Sequence, residues 1–567
     1  MGLGMKEERK AGTEVEEIIS DEVGQESPLT LKEFLEEAVS LLLTAYLFII
    51  FCIYPFYIKN GYSDIGNEKY QFYKYITMGG LGLILPLALL CIFFRVRDWR
   101  KSKGAVAHAE GMAFSGGKMG GLRRCRFSLT DWAVAIYGIV VIFSYVFSDY
   151  KEKGLWGEAG WNMGLLTQLA FVLFYFLLAF FWEYEENLLT AFVGAASVVF
   201  LLGVLNRFSI YPINMGGTDI GFLSTLGNIN WYCGYWAVLF PVSLVLYWCT
   251  DRLWLRLAAL AGTAIGIATG VSQGSSSAVL VFAGLYLCVF CLSFKGIERM
   301  KRFLELVILF CAVCQGLRGW RIVRPDGFNF YEGTLSDVLT MSRVTLFGMI
   351  PAGVAYLLLC AAGKRGSADM RKYKAMRQIA ILGTVVVAGV YVLLLVLNSK
   401  AGGIRFMGNL SALVFNAGWG NARGATWSAG IEVYKNMHGW DKLIGVGPDC
   451  FAMHLYTLPD LAERMSNQFN GARLTNAHNE WLTVLVNQGL LGLVSYGGIF
   501  VSAFVRYLYG GEKALEGRKR YLYVFGISAF VYTLHNMVSF QQILSTPFIF
   551  LMLGMGEALV KEGNEQL

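Results

Sequence analysis

Charged residues are scarce in this chain of 567 residues, at 16% of the sequence. A soluble chain of this length carries about 25%, so a water-surrounded globular fold is excluded. Histidine is scarcer still, with five copies. No GxxxxGK[ST] phosphate loop occurs, and no GxGxxG fingerprint follows a strand, so nucleotide chemistry is not indicated. Nothing points to nucleic acid as a partner. Residues 1–37 are rich in Glu and Asp and lack a short apolar region behind a basic start, so they do not read as a signal peptide. They read as an acidic, disordered cytoplasmic tail. The eleven cysteines include Cys288-x-x-Cys291 and Cys311-x-x-Cys314, which match a four-thiolate zinc spacing. All four sit in apolar runs without a polar second shell, which points to ordinary buried thiols. Only Cys450 lies in a large external loop, so no disulfide framework is expected.

What is abundant is apolar sequence: 55% hydrophobic and 15% aromatic residues. Continuous runs of roughly 17–25 residues recur, as spanning helices require, and they do not alternate as β-barrel strands would. The expected fold is all-α, a polytopic integral membrane bundle of about 12–14 transmembrane helices with one large extracytoplasmic loop near the C-terminal third. Fourteen spans are read at 38–58, 77–94, 128–148, 162–182, 188–205, 231–249, 255–271, 277–294, 303–317, 344–361, 378–397, 481–505, 521–539 and 543–560. Four regions follow: the tail 1–37, an N-terminal bundle 38–397, the loop 398–480, and C-terminal helices with a short cytoplasmic tail over 481–567.

Charge sets the orientation. With the N-terminus inside, the inner loops and tails hold 31 of the 48 Lys and Arg, counting Arg256 at the edge of the seventh span. The outer loops hold 17, seven of them in 398–480. Long loops carry little topological weight, so the useful contrast is 31 inside against 10 outside. Both termini are therefore expected in the cytoplasm of a cell (plasma or inner) membrane protein. The loop 398–480 is expected outside, away from nucleotide sugars and ATP, so an energised substrate must arrive attached to something in the membrane.

Within that loop, 416–423 reads Asn-Ala-Gly-Trp-Gly-Asn-Ala-Arg, a turn-rich approach. Residues 425–440 read as an amphipathic helix with Trp427, Ile431 and Tyr434 on one face, suited to the interface plane or to an ordinary cap over the bundle. Leu443-Ile-Gly-Val-Gly-Pro448 is a tight turn. Arg423 is a fixed cation at a helix start, and arginine favours bidentate phosphate contacts; the bland alternative is a solvated surface arginine. The loop closes on Thr475-Asn-Ala-His478-Asn479-Glu-Trp-Leu482, with Thr475 or Asn476 as the expected helix N-cap. A helix N-terminus disfavours imidazolium and attracts phosphate, which suits His478 to a general base; the alternative is a histidine bonding interfacial groups. The same leaflet is expected to carry Gln273 on the turn 272–277, Arg318, Arg321 and Arg324 at every third position, Arg473, Arg207, and His535 with Asn536 in the outer part of the thirteenth span. The arginines make a basic patch suited to a pyrophosphate.

Asn-Ala-His478-Asn-Glu-Trp-Leu running into Gly489-Leu-Leu-Gly492 resembles the hallmark of the O-antigen ligase/polymerase-like membrane proteins. So does Arg423 ahead of Trp427, followed by the Gly-Val-Gly-Pro turn at 445–448. Gly227-Asn-Ile-Asn230 leading to Gly234 and Pro241, and the Ser-x-Gly turn at 272–274, are also similar. The likeness covers roughly 130–560 and is specific over 416–495. One departure stands out: that turn usually reads Ser-Arg-Gly, with the arginine implicated in lipid diphosphate binding, and here Gln273 replaces it.

The resemblance implies a glycan donor on a polyprenyl diphosphate carrier, passed to a hydroxyl on a glycan, lipid or protein acceptor without nucleotide, metal or other cofactor. Asp441, Asp449, Asp460 and Glu463 are scattered and form no Asp-x-Asp metal site. His478 and Arg423 take the catalytic roles. Arg473, Gln273, Asn479, Arg318, Arg321, Arg324 and His535 are candidate substrate-binding residues. A repeat-unit polymerase with the same chemistry is the alternative, and a lipid or polysaccharide transporter the alternative from another class; no cation at mid-membrane favours the latter.

Overall fold

The computed structural model describes residues 29–108, 126–329, 335–364, 370–399 and 411–563. The acidic stretch 1–28 lies outside the described residues. The expected tail ends earlier than residue 37, because Thr30 and Glu33 close a capping box: the Thr30 hydroxyl accepts from the Glu33 amide at 3.3 Å, and the Glu33 carboxylate from the Thr30 amide at 2.9 Å.

The chain then runs through α1 (Leu31–Phe48), α2 (Ile65–His108), α3 (Leu129–Phe147), the short α4 (Lys151–Trp156), α5 (Leu165–Phe181) and α6 (Leu188–Arg207). A two-stranded hairpin, β1 (Phe222–Leu223) with β2 (Gly227–Asn228), leads into α7 (Ile229–Cys249). Next come α8 (Leu253–Ser272), α9 (Ser277–Ser293), α10 (Ile297–Val323), the short α11 (Leu335–Met341), α12 (Val344–Lys364) and α13 (Met370–Ser399). The loop region carries α14 (Trp419–Asn436), α15 (Asp441–Ile444), α16 (Phe451–Leu455) and α17 (Pro459–Gln468). The chain closes with α18 (Glu480–Asn487), α19 (Gly489–Lys513), α20 (Glu516–His535) and α21 (Thr546–Gly563). Every expected span overlaps a helix, and among the described residues ten helices are long and apolar enough to cross a membrane. The molecule is thus an all-α polytopic membrane protein.

Helix α7 is the axle of the bundle, buried along nearly its whole length, with Trp236 and Trp248 fully enclosed. Helix α13 is the opposite case: it is apolar and none of its spanning window is buried, as expected of a helix solvated by lipid. Two ion pairs bridge helices of the bundle. Arg506 holds Glu557 at 2.7 Å and Lys561 holds Asp131 at 2.9 Å, which ties α21 to α19 and α3 and avoids an unpaired charge in low dielectric.

The segment 411–479 folds over its own small core of Ala425, Ala429, Val433, Phe451, Leu455 and Leu461. Each of the larger side chains there is worth about 1.5–3 kcal/mol on burial. This corrects the stripe expected on α14. Ile431 is exposed, Trp427 and Tyr434 are half-buried, and the buried face is the small-residue line Ala425, Ala429 and Val433. The helix packs against protein through that line, as the cap reading requires.

The span expected at 481–505 is broken. It bends at Gln488 into α18 and α19, with Gly489 left-handed at φ 68°. The break frees the carbonyls of Val486 and Asn487, and the Gly-Val-Gly turn supplies their donors: Val446 N to Val486 O and Gly447 N to Asn487 O, both 3.1 Å. Ser144 on α3 adds its hydroxyl to the Asn487 carbonyl at 2.6 Å. Gly445 is needed there because it is left-handed (φ 83°) and a Cβ would run into the backbone of Asn487.

Candidate active site

His478 sits on the last residues of the loop with φ 48°, a left-handed conformation that non-glycine residues seldom adopt. Its neighbours pin it there. The His478 amide donates to Asn476 Oδ1 at 2.9 Å, and the Ala477 amide to Thr483 Oγ1 at 3.2 Å. The N-cap of α18 is Asn479, whose Oδ1 accepts from the Leu482 amide at 3.1 Å. Neither Thr475 nor Asn476 caps the helix: Asn476 is occupied by His478, and Thr475 accepts from Trp161 Nε1 at 2.7 Å. Asn479, expected to bind substrate, therefore spends its side-chain oxygen on the helix end.

The imidazole lies edge-on to Phe540, ring centroids 5.3 Å apart, and its buried Nδ1 has no hydrogen-bond partner among the described residues. Burial, and after it the nearby Arg423 cation, push its pKa down to about 4. The ring is neutral at physiological pH and can accept a proton.

Arg423 follows three consecutive left-handed residues, Gly420, Asn421 and Ala422, with φ of 60°, 61° and 64°. Such backbone strain concentrates at functional sites. The run directs the guanidinium onto three acceptors: Nε donates to Val538 O at 3.1 Å, and Nη1 to Ser276 Oγ at 3.0 Å and Gly420 O at 2.7 Å. Nη2 makes no protein hydrogen bond among the described residues. Arg423 thereby joins three remote segments: the loop, the α8–α9 turn and the turn after α20. Beside it opens a cleft of about 710 Å³, lined by Ser275, Ser276, Ser336, Asn416, Trp419 and Asn421, a size typical of ligand sites. Trp419 meets Trp427 at 5.2 Å, and Trp427 Nε1 reaches the His478 carbonyl at 3.5 Å, which links the cleft wall to the histidine.

The other candidates are placed differently. Gln273 turns inward: its Oε1 accepts from the Cys233 thiol at 2.9 Å, its Nε2 donates to Gly270 O at 3.3 Å, and it is 1% exposed. Arg207 is a backbone clamp, donating to Ile220 O and Gln273 O, both at 2.9 Å. Neither side chain faces the cleft as a charge or amide for a ligand. Arg321 is paired with Asp337 at 3.1 Å and bonds Thr340 at 2.6 Å. Arg318 donates to Gln315 at 3.4 Å, and Arg324 is exposed just past the end of α10. Arg473 lies 3.9 Å from the Glu158 carboxylate and donates to Met453 Sδ. His535 is buried at the end of α20 with its Nδ1 2.9 Å from Asn536 Oδ1, one turn from the Val538 carbonyl that anchors Arg423.

Sequence reasoning missed three residues that build this site. Glu480, fully buried, accepts from the hydroxyls of Tyr496 and Tyr532 and from Asn536 Nδ2. Asp449 accepts from the amides of Glu158 and Met163 at 2.8 and 3.0 Å, fastening the turn 157–163 to the loop. Trp161 rides on that turn beside Phe540 at 4.5 Å. The signal was present for Asp449, which directly follows the Gly-Val-Gly-Pro turn.

The fold and this site define a polytopic membrane protein with a folded loop seated on one face of its bundle, carrying a histidine and an arginine on strained backbone beside a cleft. Residues 334–497, from the start of α11 into α19, match the family model described as O-Antigen ligase. Over that stretch the chain is similar to the O-antigen ligases, and both His478 and Arg423 lie within the matched residues. No curated protein matches the chain.

Proposed function

We propose that the chain moves a glycan from a polyprenyl-diphosphate carrier to an acceptor hydroxyl at the outer face of the membrane. The bond between the anomeric carbon and the phosphate oxygen breaks, the acceptor oxygen bonds to that carbon, its proton passes to His478, and the carrier leaves as its diphosphate. Arg423 meets the leaving diphosphate, where negative charge develops. The observation that carries the reading is the neutral, half-buried imidazole on left-handed backbone, close enough to Arg423 for the cation to lower its pKa. The excess of Lys and Arg on the opposite loops supports an outward-facing site. A bound diphosphate would neutralise Arg423 and raise the basicity of His478, so donor binding itself would prime the base.

A repeat-unit polymerase would use the same groups, and the acceptor decides between the two. The test is carrier-diphosphate release by the purified protein in lipid nanodiscs. His478→Ala should abolish it while the variant expresses and elutes as wild type does. Release at the wild-type rate would sink the proposal.

A further inference from the structure

Around the ring side of His478 stands a set of groups that the proposed chemistry leaves unused. Trp161 is half-exposed and held by its indole N–H on Thr475 at 2.7 Å. It meets Phe540, the ring that His478 touches, at 4.5 Å, and Trp231 at 6.1 Å, edge-on in both cases. Asp449 fixes the turn that carries it. Behind Trp231 is a cavity of about 10 Å³ lined by Gly66, Lys69, Gly160, Trp231 and Gln542 among others. That is room for about one water or hydroxyl.

Three polar groups at this cavity have bonding capacity to spare. Lys69, fully buried, donates two protons, to Tyr54 O at 3.1 Å and Pro55 O at 2.9 Å, and an ammonium has three. Gln542 Nε2 is spent on Asn230 O at 3.1 Å, but its buried Oε1 has no partner among the described residues. Trp231 Nε1 is buried and likewise has no partner among the described residues. Unpaired buried donors and acceptors are costly and rare in native proteins, so a convergence of them wants a ligand. One acceptor and two donors around a hydroxyl-sized space match a single sugar hydroxyl, which both donates and accepts.

We propose that Trp161, with the slot formed by Trp231, Gln542 and Lys69, is the subsite for the acceptor sugar. A pyranose lays its C–H face on the negative face of the Trp161 indole and places one hydroxyl in the slot. A second hydroxyl of that ring then lies toward His478, while the diphosphate stays on the Arg423 side, at Ser276 and the large cleft. The assignment rests on the transfer reading above for the word acceptor; the sugar site itself stands on the geometry alone.

The experiment separates the two. Full-length protein in nanodiscs is titrated, without donor, with the methyl glycosides of glucose, galactose, N-acetylglucosamine and glucuronate, and binding is followed by calorimetry and saturation-transfer NMR. At least one glycoside should bind the wild type in the roughly millimolar range, and Trp161→Ala should weaken it about tenfold or more. Because Trp161 also holds Thr475, Trp231→Phe is the second variant: it keeps an aromatic side chain but deletes the unsatisfied N–H and shrinks the ring system, so a purely structural role predicts lower thermal stability with glycoside binding unchanged at temperatures where the variant is folded. The subsite predicts weakened glycoside binding by Trp231→Phe under those conditions. Where transfer is measurable, both tryptophan variants should raise KM for the acceptor and leave KM for the donor. No glycoside bound by wild type, equal binding by Trp231→Phe, or a change confined to donor KM would each overturn the subsite. The His478→Ala release assay reads the transfer reaction independently of all three.

Discussion

Glu480 and Asn536 clasp each other twice. The Glu480 amide donates to the Asn536 carbonyl at 2.9 Å, and Asn536 Nδ2 donates back to the Glu480 carboxylate. This pair of hydrogen bonds from loop end to helix end sets His478, two residues before Glu480, against the turn that holds Arg423 through Val538 O. Glu480→Ala leaves the buried donors of Tyr496, Tyr532 and Asn536 short of an acceptor, at a cost of about 2–4 kcal/mol. Thermal unfolding in detergent should show the drop. Glu480→Gln retains an acceptor oxygen and should recover most of the stability.

The acid limb of activity should belong to His478. Burial, then Arg423, hold its pKa at about 4 in the empty site, and the imidazole must be neutral to take a proton. Activity is therefore lost as pH falls through that pKa. The profile of kcat/KM reports the free enzyme and kcat the substrate-bound enzyme. A bound diphosphate favours imidazolium, so the kcat limb should lie at higher pH than the kcat/KM limb. Superimposed limbs would contradict the placement of the diphosphate beside His478.

Asp449 gives the opposite dependence in stability. Burial raises its pKa to about 7 from 3.8, against the two backbone amides that favour its charged form. Its folded-state pKa lies above the unfolded value, so its contribution is complete at low pH. It is lost as pH rises from about 4 to 7, where the unfolded carboxyl ionises freely, by on the order of 2–4 kcal/mol. Asp449→Asn still accepts from the Glu158 and Met163 amides. It should flatten this part of the curve of melting temperature against pH while leaving the loop folded.

Apolar run length was enough to find the helices, because burial in lipid demands a continuous stretch in one piece of chain. The break at Gly489 was harder to read. A glycine in an apolar run is ordinary in membrane helices, and only the distant Gly-Val-Gly turn, docking on the freed carbonyls, reveals its purpose. His478 and Arg423 could be singled out because each stands at an expected helix start, inside motifs that resemble a known family. Their partners could not: Ser276 is 147 residues from Arg423, and Asn536 is 56 from Glu480. Gln273 shows the limit of position alone. It lies on the expected turn, yet its side chain points back to Cys233, since an amide on the first turn residue still follows the direction of the helix before it. The left-handed backbone at Ala422 has no signature in residue type, and at His478 only the weak enrichment that histidine shares with Asn and Asp.

Gly445 and Gly489 should be intolerant of any side chain. Both are left-handed, and at each an added Cβ would run into the facing backbone, that of Asn487 and Leu443 respectively. Gly445→Ala and Gly489→Ala should each cost about 3 kcal/mol or more, since strain adds to overlap. Gly439 is the control: it is left-handed at φ 53°, but a Cβ there meets nothing within 4 Å. Gly439→Ala should cost only about 1 kcal/mol, the conformational part alone. Melting temperatures of the three variants in detergent would separate overlap from strain.

Arg423→Lys keeps the charge and removes the fork. In the wild type, Nε and Nη1 are committed to Val538 O, Ser276 Oγ and Gly420 O, which fixes the guanidinium plane and leaves Nη2 for a ligand. An ammonium is a point charge on a flexible stem; it can satisfy those acceptors or face the diphosphate, but it cannot hold that plane while doing so. Carrier-diphosphate release by Arg423→Lys should therefore fall by about 10- to 100-fold, and by more in Arg423→Ala, which loses the charge as well. Ser276→Ala tests whether the plane matters apart from the charge: it removes one anchor, leaves the arginine, and should cost less than about tenfold. If Arg423→Lys releases carrier at the wild-type rate, charge alone suffices, and the three-point anchoring of Arg423 serves the fold rather than the leaving group.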